Sequence, residues 1–95
     1  HQNFPNPFNP TTTLMYELPE QSFVTLTIYD MLGTEITTLV NAQQEPGYKS
    51  VKWDATDSMG KTVSAGVYLY RINVDNLSAE SDRRLVKTLK MVLLK

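Results

Sequence analysis

Short runs in which every second residue is apolar recur along the chain, separated by Pro, Gly, Asp and Asn, and no stretch carries a convincing helical period. Successive side chains of an extended strand point to opposite faces, so each run predicts a strand with one face buried. Val24, Leu26 and Ile28 set against Thr25, Thr27 and Tyr29 form the clearest case, and Leu14, Tyr16 and Leu18 form an earlier run that Pro19 ends. Asp30-Met31-Leu32-Gly33 predicts a type I turn whose last residue takes positive φ, closing a tight hairpin. The return strand over 34–40 carries Ile36, Leu39 and Val40 out of phase, which predicts a bulge or an edge position.

Pro46-Gly47 marks the next turn, followed by a strand over 48–54 with Val51 and Trp53 on one face. Residues 54–66 are turn formers around a short extended piece, Lys61-Thr62-Val63. Over 66–74, Tyr68, Tyr70, Ile72 and Val74 share one phase while Val67 and Leu69 occupy the other, so this strand is expected to be central. The polar stretch 75–82 is expected as an exposed hairpin loop, and in the final strand, 84–94, Leu85, Leu89, Met91 and Leu93 share a phase. These seven segments predict an all-β, two-sheet antiparallel sandwich, with one domain over 11–95. Residues 1–10 form a proline-rich lead-in whose Phe4 and Phe8 are expected to pack on the sandwich edge.

With 95 residues and no cysteine, one core must hold the fold without disulfides, and thiol chemistry is excluded. No apolar run approaches the length of a membrane span, and no signal-peptide layout opens the chain, so a cleaved export signal is expected upstream. Charge is segregated. Residues 83–95 hold Arg83, Arg84, Lys87, Lys90 and Lys95 and no acid, whereas residues 1–82 hold four bases against ten acids. A basic final strand either steers toward an anionic partner or keeps an edge from pairing promiscuously.

Few residues suit catalysis. The only histidine is His1, at the end of the chain, which leaves no positioned general base. Glu17 with Glu20 and Asp54 with Asp57 are carboxylate pairs, but acid–base chemistry on a glycan also needs a cleft. No catalytic residue, cofactor or metal is therefore expected. Asp54 and Asp57 ahead of Gly60 suit calcium less well than local turns in which aspartate accepts backbone N–H bonds. Trp53 is expected to fill the core, its N–H bonded to nearby backbone. A carbohydrate-binding or accessory module of a glycan-degrading enzyme is the alternative function, and for an aromatic platform only Phe23, Tyr29 and Tyr48 fall outside the apolar phases. Nucleic-acid binding is disfavoured by the overall charge balance.

Three stretches carry a family likeness: PNPFNPTT at 5–12, WDATDSMGKTVSAGVYLYRI at 53–72 and KMVLLK at 90–95. Together they resemble the C-terminal sorting domains of the type IX secretion system (type A), and they are similar to the Ig-like domain of the flagellar hook-capping protein. The resemblance implies an Ig-like sandwich at the C-terminal end of a secreted or surface-attached bacterial protein that travels through the periplasm. It implies an upstream cargo domain, recognition by an outer-membrane translocon and processing by a sortase-like protease. The segment Lys90, Met91, Val92, Leu93, Leu94 and Lys95 corresponds to the secretion signal, and Trp53, Asp54, Asp57, Gly60, Gly66, Val67 and Tyr68 to the family motif, for which structural roles suffice. The insertion at 75–82 departs from the family pattern.

Overall fold

The computed structural model describes residues 10–76 and 83–94, and these form six antiparallel strands. They are β1 (Thr12–Leu18), β2 (Ser22–Asp30), β3 (Glu35–Gln44), β4 (Gly47–Trp53), β5 (Gly66–Asn76) and β6 (Arg83–Leu93). β1 and β4 pair as a two-stranded sheet, and the other four make a sheet of order β3-β2-β5-β6. The segment Lys61-Thr62-Val63 contributes only an isolated bridge, Thr56 to Thr62, so six strands stand where the sequence predicts about seven. Three residues between two turns are too few to build a ladder of their own. No helix long and apolar enough to cross a membrane occurs among the described residues.

The alternating phases meet between the sheets. Leu14, Tyr16 and Leu18 of β1, Val24, Leu26 and Ile28 of β2, Trp53 of β4, Tyr68, Tyr70 and Ile72 of β5, and Met91 and Leu93 of β6 form one buried cluster with Ala55. β5 lies between β2 and β6 as its doubly apolar start predicts.

β3 carries both irregularities that its broken phase foretells. Its register against β2 slips between Leu26 and Thr27 and again between Ile28 and Tyr29, leaving Leu39 and Ile36 as the extra residues, and it is also an edge of its sheet. β3 runs four residues beyond the predicted end at Val40, because Asn41 to Gln44 pair with Thr25 to Ser22 through the backbone. With Ala42 their only apolar residue, they carry no alternation for a sequence reading to detect. β5 likewise extends to Asn76, so residues 75 and 76 belong to a strand rather than to the predicted loop. The remainder of that loop and the packing expected of Phe4 and Phe8 lie outside the described residues.

Two tyrosine hydroxyls are tied down. Tyr16 donates to Gln44 Oε1 at 2.5 Å, linking β1 to β3 across the sandwich. Tyr68 donates to the carbonyl of Ser64, four residues upstream, at 2.6 Å. The second arrangement is a tyrosine corner, a device of immunoglobulin-like sandwiches.

Burial pushes both phenols above their ordinary pKa; the Gln44 bond pulls Tyr16 the other way, while the negative charge of Asp30 raises Tyr68 further. Above about pH 10 the unfolded chain therefore releases protons that the folded chain retains, so stability falls as pH rises. These two groups leave stability unchanged below that range. Urea unfolding across a pH series is expected to show a falling midpoint in the alkaline range, with a shallower fall in Tyr68→Phe. At neutral pH that variant should lose about 1 kcal/mol with its hydrogen bond.

Candidate functional site

The loop that joins the two sheets, 54–65, is built on a turn the chain uses twice. Asp30 Oδ1 accepts from the N–H groups of Leu32 and Thr34 at 2.9 Å each, while Gly33 N–H donates to the Asp30 carbonyl at 3.1 Å. Asp57 Oδ1 accepts in the same way from Met59 at 2.9 Å and Lys61 at 3.0 Å, while Gly60 N–H donates to the Asp57 carbonyl at 3.0 Å. The fourth residue of each turn takes positive φ, 87° at Gly33 and 84° at Gly60, where a Cβ would be strained. The Asp57 carboxylate is thus engaged by backbone, as the turn reading expects. Asp54 accepts from Thr56 Oγ1, and no group of three metal-ligating side chains occurs among the described residues.

This loop also holds the sandwich together. Ala55, fully buried, takes φ of 63° and turns the chain sharply after β4. The turn brings the Thr56 carbonyl to Trp53 Nε1–H at 2.9 Å. The Ser58 N–H reaches the carbonyl of the bulged Ile36 at 3.2 Å, so the loop pins the β3 edge. Trp53 meets Tyr68 edge-on, with ring centroids 5.4 Å apart and planes at 70°.

Two of the three stretches that carry the resemblance, 53–72 and 90–95, are separate in sequence and meet in space. Across the β5–β6 ladder, Gly66 faces Leu93, Val67 faces Val92, Tyr68 faces Met91 and Leu69 faces Lys90. The Gly66-Val67-Tyr68 motif is therefore the template on which the C-terminal segment lies, and Gly66 opens the strand at φ 151°. Along that segment Met91 and Leu93 are buried in the core, Val92 is half-buried, and Lys90 and Leu94 are exposed. Lys95 lies outside the described residues. Of its five described residues two are thus core and two are surface, with Val92 between. The phase of Met91 and Leu93 announces this division in the sequence; their facing partners do not follow from it.

The residues considered for an aromatic platform do not converge. Phe23 and Tyr29 lie on the outer face of the four-stranded sheet, six positions apart on β2, and the Arg71 guanidinium covers the Tyr29 ring at 5.1 Å from its centroid. Tyr48 lies on β4 in the other sheet, beside a shallow depression of about 280 Å³ lined with Met15, Tyr16, Lys49 and Ser50.

A sequence model of the FlgD Ig-like domain matches residues 8–78, three-quarters of the chain. The chain belongs to the FlgD Ig-like domain family. Solved structures agree in fold. PorU from Porphyromonas gingivalis, in its dimeric latent form, superposes with a TM-score of 0.74 at 23% identity, over 97% of this chain and 9% of its own. FlgD from Xanthomonas campestris, described in connection with the hook capping essential for flagellar assembly, gives 0.65 at 22% identity, over 85% of this chain and 58% of its own. PorZ from Porphyromonas gingivalis, an essential surface component of the type IX secretion system, gives 0.56 at 23% identity, over 98% of this chain and 11% of its own. This FlgD Ig-like chain thus spans about a tenth of PorU and of PorZ. No curated protein matches it in sequence.

Proposed function

We propose that this FlgD Ig-like chain is a non-catalytic C-terminal sorting module that directs a larger cargo protein through a type IX translocon to the cell surface. One observation carries the reading: Lys90 to Leu93 end an edge strand held in fixed register on Gly66 to Leu69, so that Met91 and Leu93 anchor the segment while Lys90 and, just past the strand, Leu94 are displayed. The sandwich likeness to PorU and PorZ supports it. In this reading the outer-membrane translocon reads the displayed residues, a sortase-like protease acts afterwards, and the cargo lies upstream.

The test is export of a fluorescent reporter fused to residues 1–95 in a type IX-competent bacterium, beside the same fusion carrying Lys90→Glu and Leu94→Glu. The unaltered fusion is expected at the surface or in the medium and the altered one in the periplasm, both folded. Retention of both as folded proteins would sink the proposal. Hook capping is the second reading, favoured by the family match. It assigns no role to the basic final strand, so it predicts that neither fusion leaves through the type IX route.

A further inference from the structure

The two edges of the four-stranded sheet are treated in opposite ways. β3 is blunted by two bulges and by the Ser58 bond to Ile36. β6 keeps an unbroken register with β5 over all eleven residues, and its sequence contains no proline. Long, regular edge strands are templates for a further strand unless something disrupts them. Charged side chains are the disruption seen on the described part of β6, and both of them, Lys87 and Lys90, are exposed and positive.

Residues 85–88 of β6 are open on both faces. Leu85 is 62% exposed and Val86, its neighbour on the opposite face, is 50% exposed, while Lys87 and Thr88 are also exposed. The two-stranded sheet explains the exposure of Leu85, which shares the core-facing phase of Met91 and Leu93, because β1 and β4 have seven residues each and β5 and β6 have eleven. One face of the longer pair therefore outruns its cover.

We infer that the Leu85–Leu89 stretch of β6 accepts an added antiparallel strand from an extended acidic peptide segment with apolar residues at alternate positions. Backbone pairing supplies affinity in such strand addition, and the side chains beside it supply selectivity. Leu85 and Val86 offer apolar contact on the two faces. The single sign of the charges decides the partner, because like charges placed opposite each other across a ladder destabilise it and opposite charges stabilise it. A second copy of β6 paired over this stretch would set lysine against lysine. A strand bearing glutamate or aspartate neutralises them. The inference concerns residues ahead of the 90–95 segment and holds whether or not the chain is a sorting module.

The test needs no translocon. The isotopically labelled chain, residues 1–95, is titrated with a capped peptide of about seven residues alternating valine and glutamate, with its lysine counterpart, and with the glutamate peptide interrupted by a central proline. Amide shifts and slowed hydrogen exchange are expected in β6 with the glutamate peptide. Binding should be at least about tenfold weaker with the other two. The exposed pair Lys87→Glu and Thr88→Glu should reverse the preference toward the lysine peptide. The inference is overturned by equal binding of both charged peptides, by absence of binding, by shifts that map to β3 or to the β1–β4 sheet, or by concentration-dependent β6 shifts without peptide, which would make a second copy the occupant.

Discussion

Trp53→Ala is expected to cost about 3–5 kcal/mol, among the largest effects of any single substitution in the chain. Trp53 is 1% exposed and is the largest fully buried side chain described. Its removal opens a cavity at the junction of β4, the 54–65 loop and β5, and deletes the edge-on contact with Tyr68. It also strips the Thr56 carbonyl of its indole donor at the point where Ala55 holds a left-handed backbone. A domain of this size has a total stability of about 5–15 kcal/mol, so the variant should unfold at a far lower urea concentration or lack a cooperative transition. Far-ultraviolet circular dichroism is the appropriate probe, since the substitution removes the only tryptophan. Trp53→Phe keeps an aromatic ring for Tyr68 and loses only the hydrogen bond and part of the volume. Its loss should be clearly smaller. Equal losses in the two variants would mean that the indole N–H bond, rather than the packing, holds this junction.

The same residues show where a sequence is legible. Trp53, Tyr68, Met91 and Leu93 each sit in an apolar phase, and each is buried, because alternation is a local consequence of strand geometry. The Asp30 and Asp57 turns were legible for the same reason, since a carboxylate and a glycine at fixed spacing complete their own hydrogen bonds within five residues. Strand partners are another matter. That β1 pairs with β4 and that β2 lies between β3 and β5 depends on which apolar faces fit together across the sandwich, and no window of sequence contains that information. The bulges at Ile36 and Leu39 fall between these cases: their broken phase was visible, while the loop that exploits the Ile36 carbonyl was not. The candidate site divides along the same line. The motif at 66–68 and the segment at 90–94 could each be seen, but the ladder that lays one on the other is non-local.

That ladder determines what the C-terminal segment can be used to test. Deletion of residues 90–95 is expected to abolish cooperative folding, because it removes Met91 and Leu93, 0% and 1% exposed, and strips β5 of its partner from Gly66 to Leu69. Alanine at either buried position should cost about 2–5 kcal/mol alone, so losing both side chains together with their backbone pairing rivals the whole stability of the domain. Exposed positions behave differently. Lys90→Ala and Leu94→Ala should each stay within about 0.5 kcal/mol of the parent, because neither empties core volume. Thermal unfolding of the deletion and of the four single variants checks this ordering. A deletion that still unfolds cooperatively near the parent temperature would show that Met91 and Leu93 are dispensable to the core. The consequence for secretion is direct: a deleted tail that fails to export is explained by unfolding alone, whereas a folded Lys90 and Leu94 variant that fails to export isolates recognition. Met91→Ala is the matching control, since its export should decline only as far as its folded fraction does.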